Sequence, residues 1–434
     1  MADDDLLAPG FTTDPYWWDA APRPSANTEP SAPAATDVAV VGSGHTGMAA
    51  ALTLARAGRK VTVFEADAPG YGASTRNAGY VGRTLYSKFF KLEKTFGTAK
   101  ATALAREGKT AHDYLVDLIE REQLACRYVN CGRFIAAETP KHYDHMAREF
   151  AALARHVPTD VTMVPRAEQR SELASDRYHG GAALNGTGAV HPGLFHNELM
   201  NRVLSAGAAV LGHTPVTDMR REGDSFEVTT TRGRVRARNV VVATNGYTGT
   251  ATPAIRRRIV PVGAYMIATE PLGAARVARL LPTLRTMIDT KINIYWARMS
   301  PDGERILFGA RTGIDDGPLE TKARKLRAHM AEVFPELAAI KVTHCWTGNM
   351  GFTFDLLPHH GVIDGVHYAA GFCGVGIPMG SYLGHKTALK LLGERDAATA
   401  FDDLPFPTRP FYNGNPWFLP PMLAYWGVRD RMGR

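Results

Sequence analysis

The sequence predicts a two-domain α/β protein. One domain is Rossmann-like and discontinuous along the chain; the other is a substrate or cap domain built on an antiparallel sheet. Three observations carry this. An apolar strand, a Gly-x-Gly-x-x-Gly turn and an Ala-rich helix follow one another between Asp37 and Arg56. A second apolar run, Val240 to Ala243, ends in a turn of small residues and returns to the same sheet. Between them and beyond, the residues from Val260 to Gly309 alternate with the period of two expected of half-buried strands.

Taken in order, residues 1–35 form an arm rich in Pro, Ala and Asp, and its aromatic triplet Tyr16, Trp17 and Trp18 is expected to dock on the body. Val38 to Val41 is the first parallel strand, with Gly42, Gly44 and Gly47 after it. The first glycine permits the tight turn, the second lets backbone approach a pyrophosphate, and the third lets the helix Thr46–Arg56 pack closely. That helix stops at Gly58 and aims its free N–H groups at the same phosphates. Strand Lys60–Phe64 carries Glu65 at its tip, 18 residues past Gly47, where a carboxylate accepts ribose hydroxyls and repels a 2′-phosphate. The alternative reading is a glycine-rich turn that binds nothing. A second glycine-bounded loop, Gly72-Ala73-Ser74-Thr75-Arg76-Asn77-Ala78-Gly79, follows at once, and this pairing points to a flavin enzyme.

Helices are expected at Thr98–Arg121 and Lys141–Arg155, flanking a strand Arg127–Ala137. A turn at Val190-His191-Pro192-Gly193 opens a helix Leu194–Ser205; a strand Ala208–Leu211 and a hairpin, Phe226–Thr231 with Val235–Thr244, come next. Strands Tyr265–Thr269, Ile292–Arg298 and Arg305–Phe308 build the separate sheet, and Lys322–Val333 is a helix stopped before Pro335. The resulting division assigns 36–97, 175–255 and 345–400 to the cofactor domain. It assigns 98–174 and 256–344 to the substrate domain and 401–434 to a tail packed on the body.

Composition narrows the class. With 434 residues, 45% of them hydrophobic, the chain can bury two or three cores. No apolar run reaches the roughly 18 residues of a membrane span, and the acidic start (Asp3, Asp4, Asp5) lacks a signal-peptide core, so a cytoplasmic protein is expected. Cys126, Cys131, Cys345 and Cys373 fit neither a disulfide framework nor a zinc spacing, and no metal site is expected. The net charge of +7 is modest; the alternating Arg232, Arg234, Arg236 and Arg238 and the cluster Arg256 to Arg258 lack interleaved aromatics and do not suggest a nucleic-acid platform. They read as a solvated face or as attraction for an anionic substrate.

Together, the segments GSGHTG, GASTRNAG, ATNGYT, IVPVGAYMIATEPL, Trp346-Thr347-Gly348 with FTFDLLPHHG, and HYAAGFCGVGIPMGSYLG resemble the D-amino-acid oxidase superfamily, in its gamma-glutamylputrescine oxidase branch, over residues 14 to 434. The resemblance implies FAD, held non-covalently. Its contacts would come from Gly42, Gly44, His45, Thr46, Gly47, Glu65 and Ala66; from Gly72 to Gly79; from Val216, Thr244, Asn245 and Gly246; from Trp346, Gly348 and Asp355; and from Gly374, Val375, Gly376 and Ile377. The helix from Met379 would point its positive end at the flavin, unless the glycine cluster before it is a plain strand-to-helix turn.

The implied reaction moves a hydride from the carbon bearing an amine to flavin N5, and the imine then hydrolyses. The expected substrate is a small amine or amino acid and the expected acceptor oxygen. Tyr265, Tyr295 and Trp296 could wall an apolar pocket or could be core. Arg298 or Arg76 could clamp a substrate carboxylate or sit in a surface ion pair. Tyr265, Trp296 and Arg298 are the substrate-site residues expected. Pro378 stands where sarcosine oxidases carry an oxygen-activating lysine, and Cys345 lies near their flavinylated cysteine but is read as a buried thiol. His45, His191, His359 and His360 fall in turns and read as structural. Two alternatives remain: a dehydrogenase passing electrons to a quinone or carrier, and a flavin-binding sensor without turnover.

Overall fold

The computed structural model describes residues 6–24, 32–311 and 317–432, arranged as two large sheets with helices against each. In the smaller sheet, strand Ala35–Val41 lies between Val61–Phe64 and Gly233–Val242, parallel to both, and Ala209–Leu211 extends the row beyond Val61–Phe64. The hairpin strands Val216–Glu222 and Ser225–Thr230 continue the opposite edge. Strand Val366–Ala370 pairs in parallel with the far end of Gly233–Val242. Val38, Val40, Val61, Val63 and Val241 are buried, as parallel strands covered on both faces require. Helices His45–Arg56, Pro192–Ser205 and Gly376–Leu392 supply that cover, joined by Leu115, Leu118 and Ile119 of the long helix Phe89–Arg121.

The nine-stranded sheet runs in the order Leu7–Thr12, Val342–Phe352, Val260–Thr269, Ile306–Ala310, Tyr295–Met299, Thr286–Asp289, Arg133–Ala136, Gly181–Leu184, Val161–Val164. Six of its eight neighbouring strand pairs are antiparallel; Leu7–Thr12 and Arg133–Ala136 each join one partner in parallel. One face is covered by helix Leu319–Val333, with Leu326, Met330 and Val333 buried against Ile267, Tyr295 and Phe308. The other face looks toward the cofactor-type domain.

Several elements differ from expectation. The arm contributes an edge strand and buries Trp17 completely. The strand expected at Arg127–Ala137 is confined to Arg133–Ala136, because Arg127 and Gly132 take positive φ and bend the chain. The helix expected from Thr98 begins at Phe89 and bends at Gly97, whose φ of 78 interrupts it. Strand Val342–Phe352 crosses the boundary expected at 345, and Gly181–Leu184 lies in the nine-stranded sheet although 175–255 was assigned to the other domain.

Candidate active site

The site starts at the turn after strand Ala35–Val41. Gly42 has φ +99, and a Cβ on Gly47 would stand 1.9 Å from the Gly42 carbonyl oxygen. A Cβ on Gly44 would meet Ser74 Oγ at 2.8 Å, and that hydroxyl already accepts the His45 N–H at 3.0 Å. The first glycine turn and the second glycine loop are therefore fastened to each other. The N-cap residue of helix His45–Arg56 is Gly44, which has no side chain to cap it; apart from the His45 N–H held by Ser74, its first-turn N–H groups face no capping side chain. Glu65 Oε2 accepts the Ser43 N–H (2.8 Å) and hydroxyl (2.6 Å), while Oε1 accepts from Ala66 N at 2.8 Å. His45 Nε2 is sealed from solvent without a partner, and burial, helped by His196, pushes the imidazole down to about 3, so it is neutral.

The loop from Gly72 to Gly79 is braced from behind. Trp17 Nε1 donates to the Asn77 carbonyl (2.9 Å), Trp18 Nε1 to Thr75 Oγ1 (3.0 Å) and Trp346 Nε1 to the Arg76 carbonyl (2.9 Å). Asn77 ties the loop internally, donating to Ala73 and Ser74 and accepting from Gly79 N. Arg298 donates to the carbonyls of Ala78 (3.0 Å), Val190 (2.8 Å) and Met299 (3.1 Å) and lies over Trp17. Its expected role as a substrate clamp is corrected: main-chain acceptors engage it, and it does not border the cavity. Trp346 and Thr75 are likewise braces, since their side chains hold loop backbone. Trp17 and Trp18 were expected to dock, but the sequence did not show where.

The third wall is the turn after Val366–Ala370. Gly371 N–H donates to Asn245 Oδ1 at 2.8 Å, joining the two small-residue turns. Gly374, Val375, Gly376 and Ile377 then present the start of helix Gly376–Leu392, which again has no side-chain cap. Cys373 donates to the Gly371 carbonyl and burial pushes its thiol up to about 12; Cys345, also raised to about 12 by burial, packs toward helix Leu319–Val333 on the face away from the site. Neither is a thiolate. Asp355 accepts from His359 Nε2 at 2.9 Å and lies off the cavity, a correction to its expected place among the cofactor contacts.

These walls enclose a cavity of about 1090 Å³. Gly42, Gly44, His45, Thr46, Glu65, Ala66, Val216, Thr244 and Asn245 border one end, and Gly72 to Ser74, Arg76 to Ala78, Gly348 and Gly374 to Ile377 its middle. Gly47, Gly79 and Gly246 lie behind these surfaces. The nine-stranded sheet closes the cavity with Ala264, Met266, Ile288 and Trp296. Strand parity decides which aromatic faces it. Trp296 does, and its buried indole N–H has no acceptor among the described residues. Tyr265 and Tyr295 point the other way, Tyr265 beside Lys322 and Tyr295 with its hydroxyl 2.7 Å from His329 Nδ1. Tyr265 is thus corrected from pocket wall to the helix-covered face. Arg76 borders the cavity but donates to the Tyr71 and Thr347 carbonyls.

The residues fit a dinucleotide: the glycine turn at Gly42 to Gly47, the starts of helices His45–Arg56 and Gly376–Leu392 and the carboxylate of Glu65 border one space. The chain matches the family described as FAD dependent oxidoreductase over residues 37–389. It is 28% identical over 433 residues to the probable oxidoreductase OrdL of Rhizobium meliloti (strain 1021), covering 98% of each chain. It is 29% identical over 402 residues to the gamma-glutamylputrescine oxidoreductase of Escherichia coli (strain K12), covering 92% of this chain and 93% of that one. Its fold superposes on the glycine oxidase of Geobacillus kaustophilus with a TM-score of 0.71 at 23% identity, over 87% of this chain and 99% of that structure.

Proposed function

From its membership of this FAD-dependent oxidoreductase family, we propose that the protein oxidises the C–N bond of a small amine or amino acid. The substrate carbon and nitrogen together lose two electrons and two protons, and water hydrolyses the imine to a carbonyl compound and the free amine or ammonia. FAD supplies the two-electron acceptor; molecular oxygen is the proposed final oxidant, since it needs no docking surface and reaches an interior cavity by diffusion. Relatives named for gamma-glutamylputrescine and glycine oxidation support the substrate class.

The observation that carries the reading is the cavity between the glycine loops and the sheet face of Ala264, Met266, Ile288 and Trp296. Apolar walls disfavour the ammonium form, so they hold the amine neutral, as oxidation requires. They also exclude water from the reacting carbon until the imine has formed. Gly44, Thr46 and the helix end at Gly376 would hold the pyrophosphate and ring through main-chain N–H groups, with Glu65 on the ribose. Arg298, Trp17, Trp18 and Trp346 act as positioning residues by fixing the loop from behind.

The test is an anaerobic titration of the purified yellow protein with primary and secondary amines, followed by admission of air. Bleaching of the flavin band by an amine, then recovery of colour with one equivalent of hydrogen peroxide, is expected. A flavin that no amine bleaches would sink the reading; bleaching without peroxide on reoxidation would move the final acceptor to a quinone or carrier.

A further inference from the structure

Positive charge on the cavity wall is unevenly matched. Arg76, Arg83 and Arg311 each donate to main-chain carbonyls, and the Lys291 ammonium rests 3.4 Å from the centroid of the Tyr295 ring. Lys88 and Arg133 border the same cavity, and their side chains hydrogen-bond to no described residue. Arg133 Nε is sealed from solvent without an acceptor, and its guanidinium lies 5.1 Å over the Tyr80 ring, whose hydroxyl donates to Met287 and Ala297 carbonyls. Burial lowers the pKa of both cations; for Lys88, Glu149 opposes that lowering and Arg133 adds to it. Glu149 borders the same cavity and accepts the Phe89 and Phe90 N–H groups at the start of helix Phe89–Arg121; its charge acts on Lys88, though no direct ion pair joins it to either cation among the described residues. Lys91, one turn along, borders the same space.

The register places these cations. Ile288 lies opposite Trp296 on one side and Ile135 on the other, and Thr286 lies opposite Arg133. Arg133 and Ile135 share the cavity face with Ile288 and Trp296, two strand spacings away, roughly 10 Å. Helix Pro140–Ala154 borders the same cavity with Met146, Phe150 and Leu153 as well as His142, His145 and Glu149. On the cavity face, Ile288 and Ile135 thus lie between Trp296 and these cations.

We propose that Lys88 and Arg133 form an anion subsite that receives the carboxylate at the far end of an elongated amine whose nitrogen lies at the Trp296 end of the cavity. This rests on the proposed oxidation of an amine. Lys88 is exposed to the cavity and Arg133 is half-buried beside it, so a carboxylate there would gain charge-assisted contacts from both. The guanidinium fork offers it a bidentate contact and the ammonium a third. The two arginines expected from sequence to clamp a carboxylate, Arg76 and Arg298, are both engaged by carbonyls.

Equilibrium binding to the FAD-loaded protein tests this with 5-aminopentanoate and 6-aminohexanoate against pentylamine and hexylamine. The amino acids are expected to bind at least about ten-fold more tightly, as one added charge-assisted contact implies. Lys88→Met and Arg133→Gln are each expected to shrink that difference. Equal affinity of the two series in the native protein, or an undiminished difference in both variants, overturns the subsite. So does loss of FAD from the variants, which would assign the cations to the cofactor, or displacement of 6-aminohexanoate by equimolar inorganic phosphate, which would make the ligand a phosphate. A carboxylate preference without flavin bleaching by any amine upholds the subsite and fails the oxidation; bleaching by amines with no such preference does the reverse.

Discussion

At the scale of single residues, the site depends on where side chains are absent or turned. Gly44 leaves room for a ligand and for Ser74, whose hydroxyl fastens the two glycine loops. Gly44→Val is expected to displace that hydroxyl and fill the phosphate approach, so the variant should purify colourless; a normal flavin-to-protein ratio would disprove the assigned geometry. Gly47→Ala puts a methyl against a carbonyl that cannot yield, and overpacking of this kind lowers stability by about 1–3 kcal/mol or more. Its urea midpoint should fall accordingly, and an unchanged midpoint counts against close helix packing there. Trp296 reaches the cavity while Tyr295 beside it does not, purely because successive strand residues face opposite ways.

At the scale of elements, the N-terminal segment works as a brace. Trp17 is fully buried, and its indole N–H serves the Asn77 carbonyl. Trp17→Phe keeps most of the packing and removes the donor, so a loss of about 1–3 kcal/mol is expected from the carbonyl left without a partner. The check is a urea melt paired with an FAD titration, and both should weaken because the carbonyl belongs to the second glycine loop. Helix His45–Arg56 is joined to helix Phe89–Arg121 by Arg56, which grips Glu122 with two contacts of 2.7 Å. Those hydrogen bonds pull the Glu122 carboxyl down to about 2 against burial. Because the folded value lies below the unfolded one, near 4.3, this contact adds stability above that pH and loses it as pH falls toward 2. Arg56 is 47% exposed, so solvent screening holds the effect within about 1 kcal/mol. Glu122→Gln should flatten the acid limb of stability over that window; an identical pH profile would show the pair contributes nothing.

For the whole molecule, the cavity is bounded by both sheets, so one ligand contacts elements far apart in sequence, from Gly42 to Ile377. A ligand that binds only the folded state stabilises it by mass action, about 2.7 kcal/mol at one hundred times Kd. Spread over 434 residues this raises the melting temperature by about 3 °C. Apoprotein should therefore melt later as FAD is added, and an FAD-independent melting temperature would separate the cavity from the cofactor. In the described residues no helix is long and apolar enough to cross a membrane.

Local signals carried much of this protein. Strand, glycine turn, helix and acidic tip sit within thirty-odd neighbouring positions, so Gly42 to Glu65 were legible as a nucleotide cradle, and the family resemblance extended that reading to the loops at Gly72 and Gly374. Long-range pairing was not legible. Arg298 reads the same whether it meets a substrate or three carbonyls, and Tyr265 the same on either face, because strand register is set by partners distant in the chain. The same holds for Leu7–Thr12, which becomes a strand only against Val342–Phe352, and for Lys88 and Arg133, which become a pair only when a helix start and a sheet strand close on one cavity. Composition and periodicity determine which elements form and what cofactor they suit; only the folded arrangement decides which polar groups find partners and which are left facing the ligand, since hydrogen bonding is satisfied in three dimensions.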